Sequence, residues 1–114
     1  MRSEELYLSD IIEAADSIAG FLGGAGRDEF FRDELLRSAV LQKLMVIGEA
    51  AAHVGETIRA KHTQVPWRRI AAFRNYAIHE YFGMNWAYAW IAATEDTPLL
   101  RSQVQTVLEA EFGR

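Results

Sequence analysis

Residues 66–83 read Pro66-Trp67-Arg68-Arg69-Ile70-Ala71-Ala72-Phe73-Arg74-Asn75-Tyr76-Ala77-Ile78-His79-Glu80-Tyr81-Phe82-Gly83, and this segment combines an apolar helical pattern with most of the chemically capable side chains of the chain. Pro66 suits a first helical position, where its missing N–H would be unpaired anyway. Gly83 is the expected stop. Between them Ile70, Phe73, Ala77 and Ile78 recur at helical spacing and make a face for a core. Arg74 therefore falls beside buried surface, where a charge needs a partner or a task.

Working outward from this helix, every other long segment carries the same period. Ser3-Glu4-Glu5 is an N-cap followed by first-turn acids, and Leu8, Ile11, Ile12, Ala15, Ile18 and Leu22 then form a stripe at steps of three and four. Gly20 weakens the last turns, and residues 23–26 stop the helix in a Gly-rich loop. Asp28 is placed to cap a short turn, and Asp33 to cap a long helix over residues 34–54. This second long helix is apolar on most of its circumference. Leu35, Leu36, Val40, Leu41, Leu44, Met45, Ile47, Ala51 and Val54 make one wide face, while Val46, Gly48, Ala50 and Ala52 keep the other side small or greasy. Either core packing alone explains this, or the second face meets another subunit, with Gly48 admitting a close backbone. Glu49, isolated in that surface, either pairs with an arginine such as Arg74 or points out through a gap.

Downstream of residue 83, Asn85 caps a helix from Trp86 to about Thr94, whose aromatics fan round the axis as core filling. Thr97-Pro98 starts a last helix with Leu99, Leu100, Gln103, Val104, Val107, Leu108 and Phe112 on its buried edge. No alternating strand pattern or repeat is present. The expected fold is all-α, an up-and-down bundle of four main helices plus short extra helices, forming one domain over residues 1–114.

The polar groups of the opening segment have a defined geometry. Asn75 and His79 are four apart, one turn up the same face, so the amide can hydrogen-bond a ring nitrogen and fix the tautomer. Arg74 and His79 lie roughly 140° apart around a straight helix. Either the last turn unwinds toward Gly83, or two copies of the helix meet across a two-fold axis and lend their groups to a shared cleft; the second is the expectation adopted.

Arg74, His79 and Tyr81, in the pattern Arg-x4-His-x-Tyr, resemble the signature of the HEPN superfamily, and within it of the HepT-like toxins of prokaryotic toxin–antitoxin pairs. Val46-Ile47-Gly48-Glu49-Ala50-Ala51, Val65-Pro66-Trp67-Arg68 and Tyr81-Phe82-Gly83 are similar too, so the resemblance covers nearly the whole chain. It implies a HEPN-like fold and a homodimeric, metal-independent endoribonuclease, with Arg74 and His79 lining a cleft between subunits. It also implies a partner, an MntA-like nucleotidyltransferase antitoxin that adenylylates the motif tyrosine, here Tyr81, to O-AMP-tyrosine.

The chemistry is consistent with those residue types. Cutting RNA without a metal needs a base for the 2′-hydroxyl, an acid for the leaving 5′-oxygen and a fixed positive charge. Histidine titrates near working pH and serves as either proton-transfer group, and a guanidinium forks onto phosphate oxygens. Arg74 and His79 are thus the catalytic candidates, with Asn75 orienting the imidazole and Tyr81 supporting. AMP on Tyr81 would block the phosphate path by charge and bulk.

Composition narrows the field further. Half of the 114 residues are hydrophobic and two are proline, which fits a packed domain. Absence of cysteine excludes disulfides and thiolate metal sites, and is compatible with a cytoplasmic location. No apolar run reaches membrane-spanning length. His53, His62 and His79 stand at spacings that suggest no metal site, no phosphate-cradling glycine loop is evident, and no cofactor is expected. The net charge of −4 argues against bulk nucleic-acid binding. Yet residues 57–79 hold no acid while Arg59, Lys61, Arg68, Arg69 and Arg74 fall among them, a face suited to brief contact with RNA, where Arg68 and Arg69 are candidate phosphate contacts. The plain alternative is a solvated patch, and the alternative for the chain as a whole is a non-catalytic helical dimer acting as binding partner or accessory subunit of a nucleotidyltransferase.

Overall fold

In the computed structural model, which describes residues 2–114, four long helical stretches pack around one apolar interior. Helix α1 is Glu4–Leu22, α2 is Arg27–Arg32, α3 is Glu34–His53, α4 is Glu56–Lys61, α5 is Trp67–His79, α6 is Trp86–Ile91 and α7 is Thr97–Phe112. A 3-10 turn, Tyr81–Gly83, follows α5, and a π-helical turn, Ala92–Asp96, joins α6 to α7. There is no strand among the described residues. Helix α3 lies between α1 and α5, and α1 also packs on α7. The expected up-and-down helical bundle is the fold observed.

The local rules account for most of the boundaries. Ser3 Oγ accepts from the Leu6 N–H (3.2 Å). Asp33 Oδ1 accepts from the Leu36 N–H (3.0 Å) and Asn85 Oδ1 from the Tyr88 N–H (3.2 Å). Each cap satisfies a first-turn donor that the helix itself cannot. Asp28 is not a cap: Gly26 holds that position for α2, and Asp28 sits inside the first turn. Leu8, Ile11 and Ile18 of α1 meet Val40, Leu44 and Ile47 of α3, with Phe73 and Ala77 of α5 and Leu100, Val104 and Val107 of α7 closing the interior.

Five expectations are corrected. Leu35 is 81% exposed, because about 100° per residue puts it nearly opposite the Val40–Leu44–Ile47 face. Ile78 is 53% exposed for the same reason, lying off the Phe73–Ala77 line, and so is Leu99 at 62%, turned away from the Leu100–Val104–Val107 edge on which it was expected. Pro66 precedes α5 as its cap residue, and α5 ends at His79 rather than at Gly83. There Glu80 leaves helical backbone, the Gly83 N–H closes a 3-10 turn on the Glu80 carbonyl (3.0 Å), and the Asn85 N–H binds Tyr76 Oη (2.9 Å), folding the chain back along α5.

The fifth concerns the last two helices, expected as separate. Backbone stays helical from Trp86 through Phe112, with one widened turn. Pro98 has no N–H for the carbonyl of residue 94, and its ring would crowd that carbonyl in a regular α-helix. The wider turn relieves the clash: the Thr97 N–H reaches back to the Ala92 carbonyl. The Thr97 hydroxyl, expected as a cap, instead donates to the same carbonyl (2.7 Å), and Thr94 Oγ1 donates to the Trp90 carbonyl (2.7 Å). Trp86 and Trp90 pack around Phe30, as core filling requires.

Candidate active site

The crossing of α3 and α5 positions the site. A Cβ built at Gly48 would come within 2.5 Å of Arg74 Cβ and 3.1 Å of the Ile70 carbonyl, so only glycine lets these helices approach this closely. The close approach that the sequence offered to a second subunit is therefore used by α5 of the same chain. It lays the Arg74 stem on α3 and brings its guanidinium to the Glu49 carboxylate, an ion pair with the arginine side chain 24% exposed. Of the two expectations for Glu49, pairing is the one realised.

Asn75 takes part differently from expectation. Its Oδ1 accepts from Arg74 Nη2 (2.9 Å), and no hydrogen bond joins it to His79 among the described residues. Neighbouring side chains on a helix diverge by about 100°, so the long guanidinium bends round to the amide. Arg74 is thus held by two acceptors from different elements. Each Nη keeps one further N–H free of these bonds.

His79 ends α5 exposed to solvent, and no hydrogen bond or ion pair engages its imidazole among the described residues. Arg68, Ala72, Asn75 and His79 fall within about 60° of one another around α5 and are all exposed, making a continuous open stripe. Tyr81 lies in the following turn, 53% exposed, its ring edge-on to Phe82 at 5.3 Å. Phe82 is fully exposed, so Ile78, Tyr81 and Phe82 put an unpartnered apolar group around the histidine.

The basic window is largely neutralised by acids from outside it. Arg59 pairs with Glu56 (3.0 Å), Lys61 with Glu111 (3.2 Å), Arg69 with Asp96 (3.3 Å) and Arg74 with Glu49. Arg68 alone among these cations has no carboxylate partner among the described residues. His62 Nε2 is 2.7 Å from Glu111 Oε2, and the hydrogen bond from His62, with Lys61 beside it, holds the Glu111 carboxyl below its ordinary range.

In the sequence His53 stands out only for its lack of metal-ligand spacing. It is four residues after Glu49, close enough to its carboxylate (3.7 Å) to share it with Arg74, and it stacks on Tyr7 at 5.0 Å between centroids. The i, i+4 spacing was the available signal. No cluster of three or more His, Asp or Glu side chains placed to hold a metal forms among the described residues, and no helix there is long and apolar enough to cross a membrane. A hollow of about 530 Å³ between α5 and α7 is lined by Ile70, Phe73, Tyr88 and Leu100, with Arg69 also lining it, but includes neither Arg74 nor His79.

The family model described as "Ribonuclease HepT-like" matches residues 11–107. A candidate RNase of Methanocaldococcus jannaschii is 33% identical over 106 residues, covering 93% of this chain and 97% of that one. A candidate RNase of Caldanaerobacter subterraneus subsp. tengcongensis is 33% identical over 111 residues, 97% of this chain and 99% of that one. A candidate ribonuclease HepT of Thermococcus cleftensis is 34% identical over 104 residues, 91% and 94% of the two chains. No solved structure matches significantly. With the family model spanning α1 to α7 over an all-helical bundle, the chain belongs to the ribonuclease HepT-like family of HEPN-type endoribonucleases.

Proposed function

We propose that this protein is the toxin of a prokaryotic toxin–antitoxin pair, an endoribonuclease that cuts RNA without a metal at a cleft between two copies of the chain. The observation that carries the mechanism is the state of α5: His79 is open to solvent with a free imidazole, one turn above an Asn75 amide that holds the Arg74 guanidinium.

Within one chain Arg74 leans to the α3 side of α5 and His79 faces water, so a single phosphate is best met by groups of two copies. One His79 removes the 2′-hydroxyl proton, and the 2′-oxygen attacks phosphorus. The P–O5′ bond breaks as the second His79, protonated, gives its proton to the leaving 5′-oxygen. Products are a 2′,3′-cyclic phosphate and a free 5′-hydroxyl. The two spare Nη–H groups of Arg74 stabilise the negative charge growing on the phosphoryl oxygens. The apolar group Ile78, Tyr81 and Phe82 supports pairing of copies around the histidines, since apolar surface of this kind is otherwise left in water. Tyr81 presents an exposed ring beside the cleft, and transfer of AMP from ATP to its hydroxyl, with release of pyrophosphate, by a partner nucleotidyltransferase would block RNA entry through charge and bulk.

The test is cleavage of labelled RNA by purified protein in excess chelator. Activity that persists there and falls roughly 10²-fold or more in His79→Ala, with Arg74→Ala also inactive and both variants folded, supports the mechanism. Equal activity in wild type and variants would refute it. For control by modification, intact mass after co-expression with a neighbouring nucleotidyltransferase should show added AMP that is absent in Tyr81→Phe.

A further inference from the structure

We propose that Arg59 of α4 and Arg68 of α5 form a distal phosphate subsite for single-stranded RNA, with Arg68 on the same open stripe as His79 but well removed from the bond that is cut. The inference rests on the ribonuclease reading and extends it to substrate length.

A shallow groove of about 570 Å³ runs between α4 and the start of α5, lined by Arg59, Thr63, Trp67, Arg68, Arg69 and Ala72. Its only titratable lining groups are arginines. Two of the three are occupied, Arg69 by Asp96 and Arg59 by Glu56, but Glu56 is 83% exposed and its hold on Arg59 is screened by water, so phosphate can take its place. Arg68 has no carboxylate partner among the described residues, although every other cation of residues 57–79 has one. An unmatched guanidinium in a groove free of acids favours an anion from outside the chain.

Register connects this groove to the chemistry. Arg68, Ala72, Asn75 and His79 share one exposed face of α5, and the methyl of Ala72 leaves no long side chain standing between the groove and Asn75. Eleven residues of helix separate Arg68 from His79 by about 16.5 Å. That distance is about five nucleotides at a stacked strand spacing of ~3.4 Å, and fewer if the strand is stretched. A single strand suits the track better than a duplex, because the in-line attack needs a 2′-hydroxyl free to rotate behind the phosphorus.

The experiment measures KM and kcat on a ladder of labelled RNAs shortened from either end, across a range of salt. Arg59→Gln/Arg68→Gln should raise KM several-fold on long strands with kcat nearly kept. The dependence on strand length should weaken on both sides of the cut, since each of the two copies carries the groove. The slope of log affinity against log salt should fall in magnitude by about 1.4 for each groove the strand occupies, at ~0.7 per phosphate lost. Arg68→Lys, which keeps the charge, should keep the slope, and Arg101→Gln, which removes a cation bonded to Asp16 between α1 and α7, should change neither. An unchanged slope, or a loss equal for long and short strands, overturns the subsite while leaving the nuclease intact. Failure of the wild-type protein to cut any RNA overturns both.

Discussion

At the scale of single residues, Arg74 is the side chain whose surroundings explain most. Its stem rests on Gly48, its charge is met by Glu49, and a second nitrogen is held by Asn75. Lysine at this position keeps the charge but cannot bridge two acceptors and still present a fork to phosphate. Arg74→Lys is therefore expected to lose most of its kcat on RNA, by about tenfold or more, with little change in thermal unfolding. Rates near wild type in the lysine variant would show that charge alone suffices. Gly48→Ala places a methyl where the Arg74 Cβ already is, with backbone of α5 close behind. Overpacking of this kind costs about 1–3 kcal/mol, offset in part by the ~0.5–1 kcal/mol that alanine contributes over glycine within a helix. Stability and activity should fall together, read by denaturant unfolding and by RNA cleavage. Gly55 is also crowded, by the Glu4 carboxylate that accepts from its N–H (2.6 Å), yet that neighbour is the end of a flexible side chain and can swing away.

At the scale of elements, the chain immediately before α5 is tied to the end of α7. His62 and Lys61 hold Glu111, and the carbonyl of His62 accepts from Trp67 Nε1 (3.0 Å), so the first turn of α5 is braced through the same residue. The hydrogen bond from His62 is the main cause of the lowered Glu111 pKa, followed by that from Lys61. A carboxyl whose folded pKa lies below its unfolded value contributes stability above the unfolded value, and that stability is lost as pH falls through the folded one. Wild type should thus unfold at a higher temperature than Glu111→Gln near neutral pH. The two curves should converge as pH drops below the ordinary glutamate value of 4.5. A gap that persists at the acid end would assign the brace to packing instead of charge. The π turn at Ala92–Asp96 is the other element-level device, letting one continuous helix pass Pro98 while Ala92 and Ala93 on one side of it and Leu100 and Val104 on the other all stay buried.

At the scale of the whole molecule, the apolar surface is unevenly spread. Ile78, Tyr81 and Phe82 are all exposed within one turn and its approach, beside the proposed histidine. If copies pair through this end, dilution should lower specific activity, and sedimentation should show a dimer separating over the same range. Phe82→Ser is expected to shift that transition to higher protein concentration while leaving the unfolding of the isolated chain nearly unchanged, because Phe82 touches water and not the core. A sedimentation profile indifferent to Phe82→Ser would place the pairing surface elsewhere.

Much of this was written locally in the chain and could be read there. Ser3, Asp33 and Asn85 cap helices because a short acceptor and a free first-turn N–H lie within three residues of one another. Periodicity alone separates the buried Val40, Leu44 and Ile47 from the solvent, and the Arg-x4-His-x-Tyr spacing pointed to the family. The Asn75 amide, expected on His79, instead accepts from its neighbour Arg74. What depends on two distant segments meeting stays open in the sequence: whether Glu49 pairs with Arg74, and whether Gly48 serves core packing or a second subunit. Those outcomes are set by the crossing of α3 and α5, a contact between residues some twenty-five positions apart that no local spacing encodes. Only the packed bundle decides which side of α5 is buried against α3 and which remains open as the stripe ending at His79.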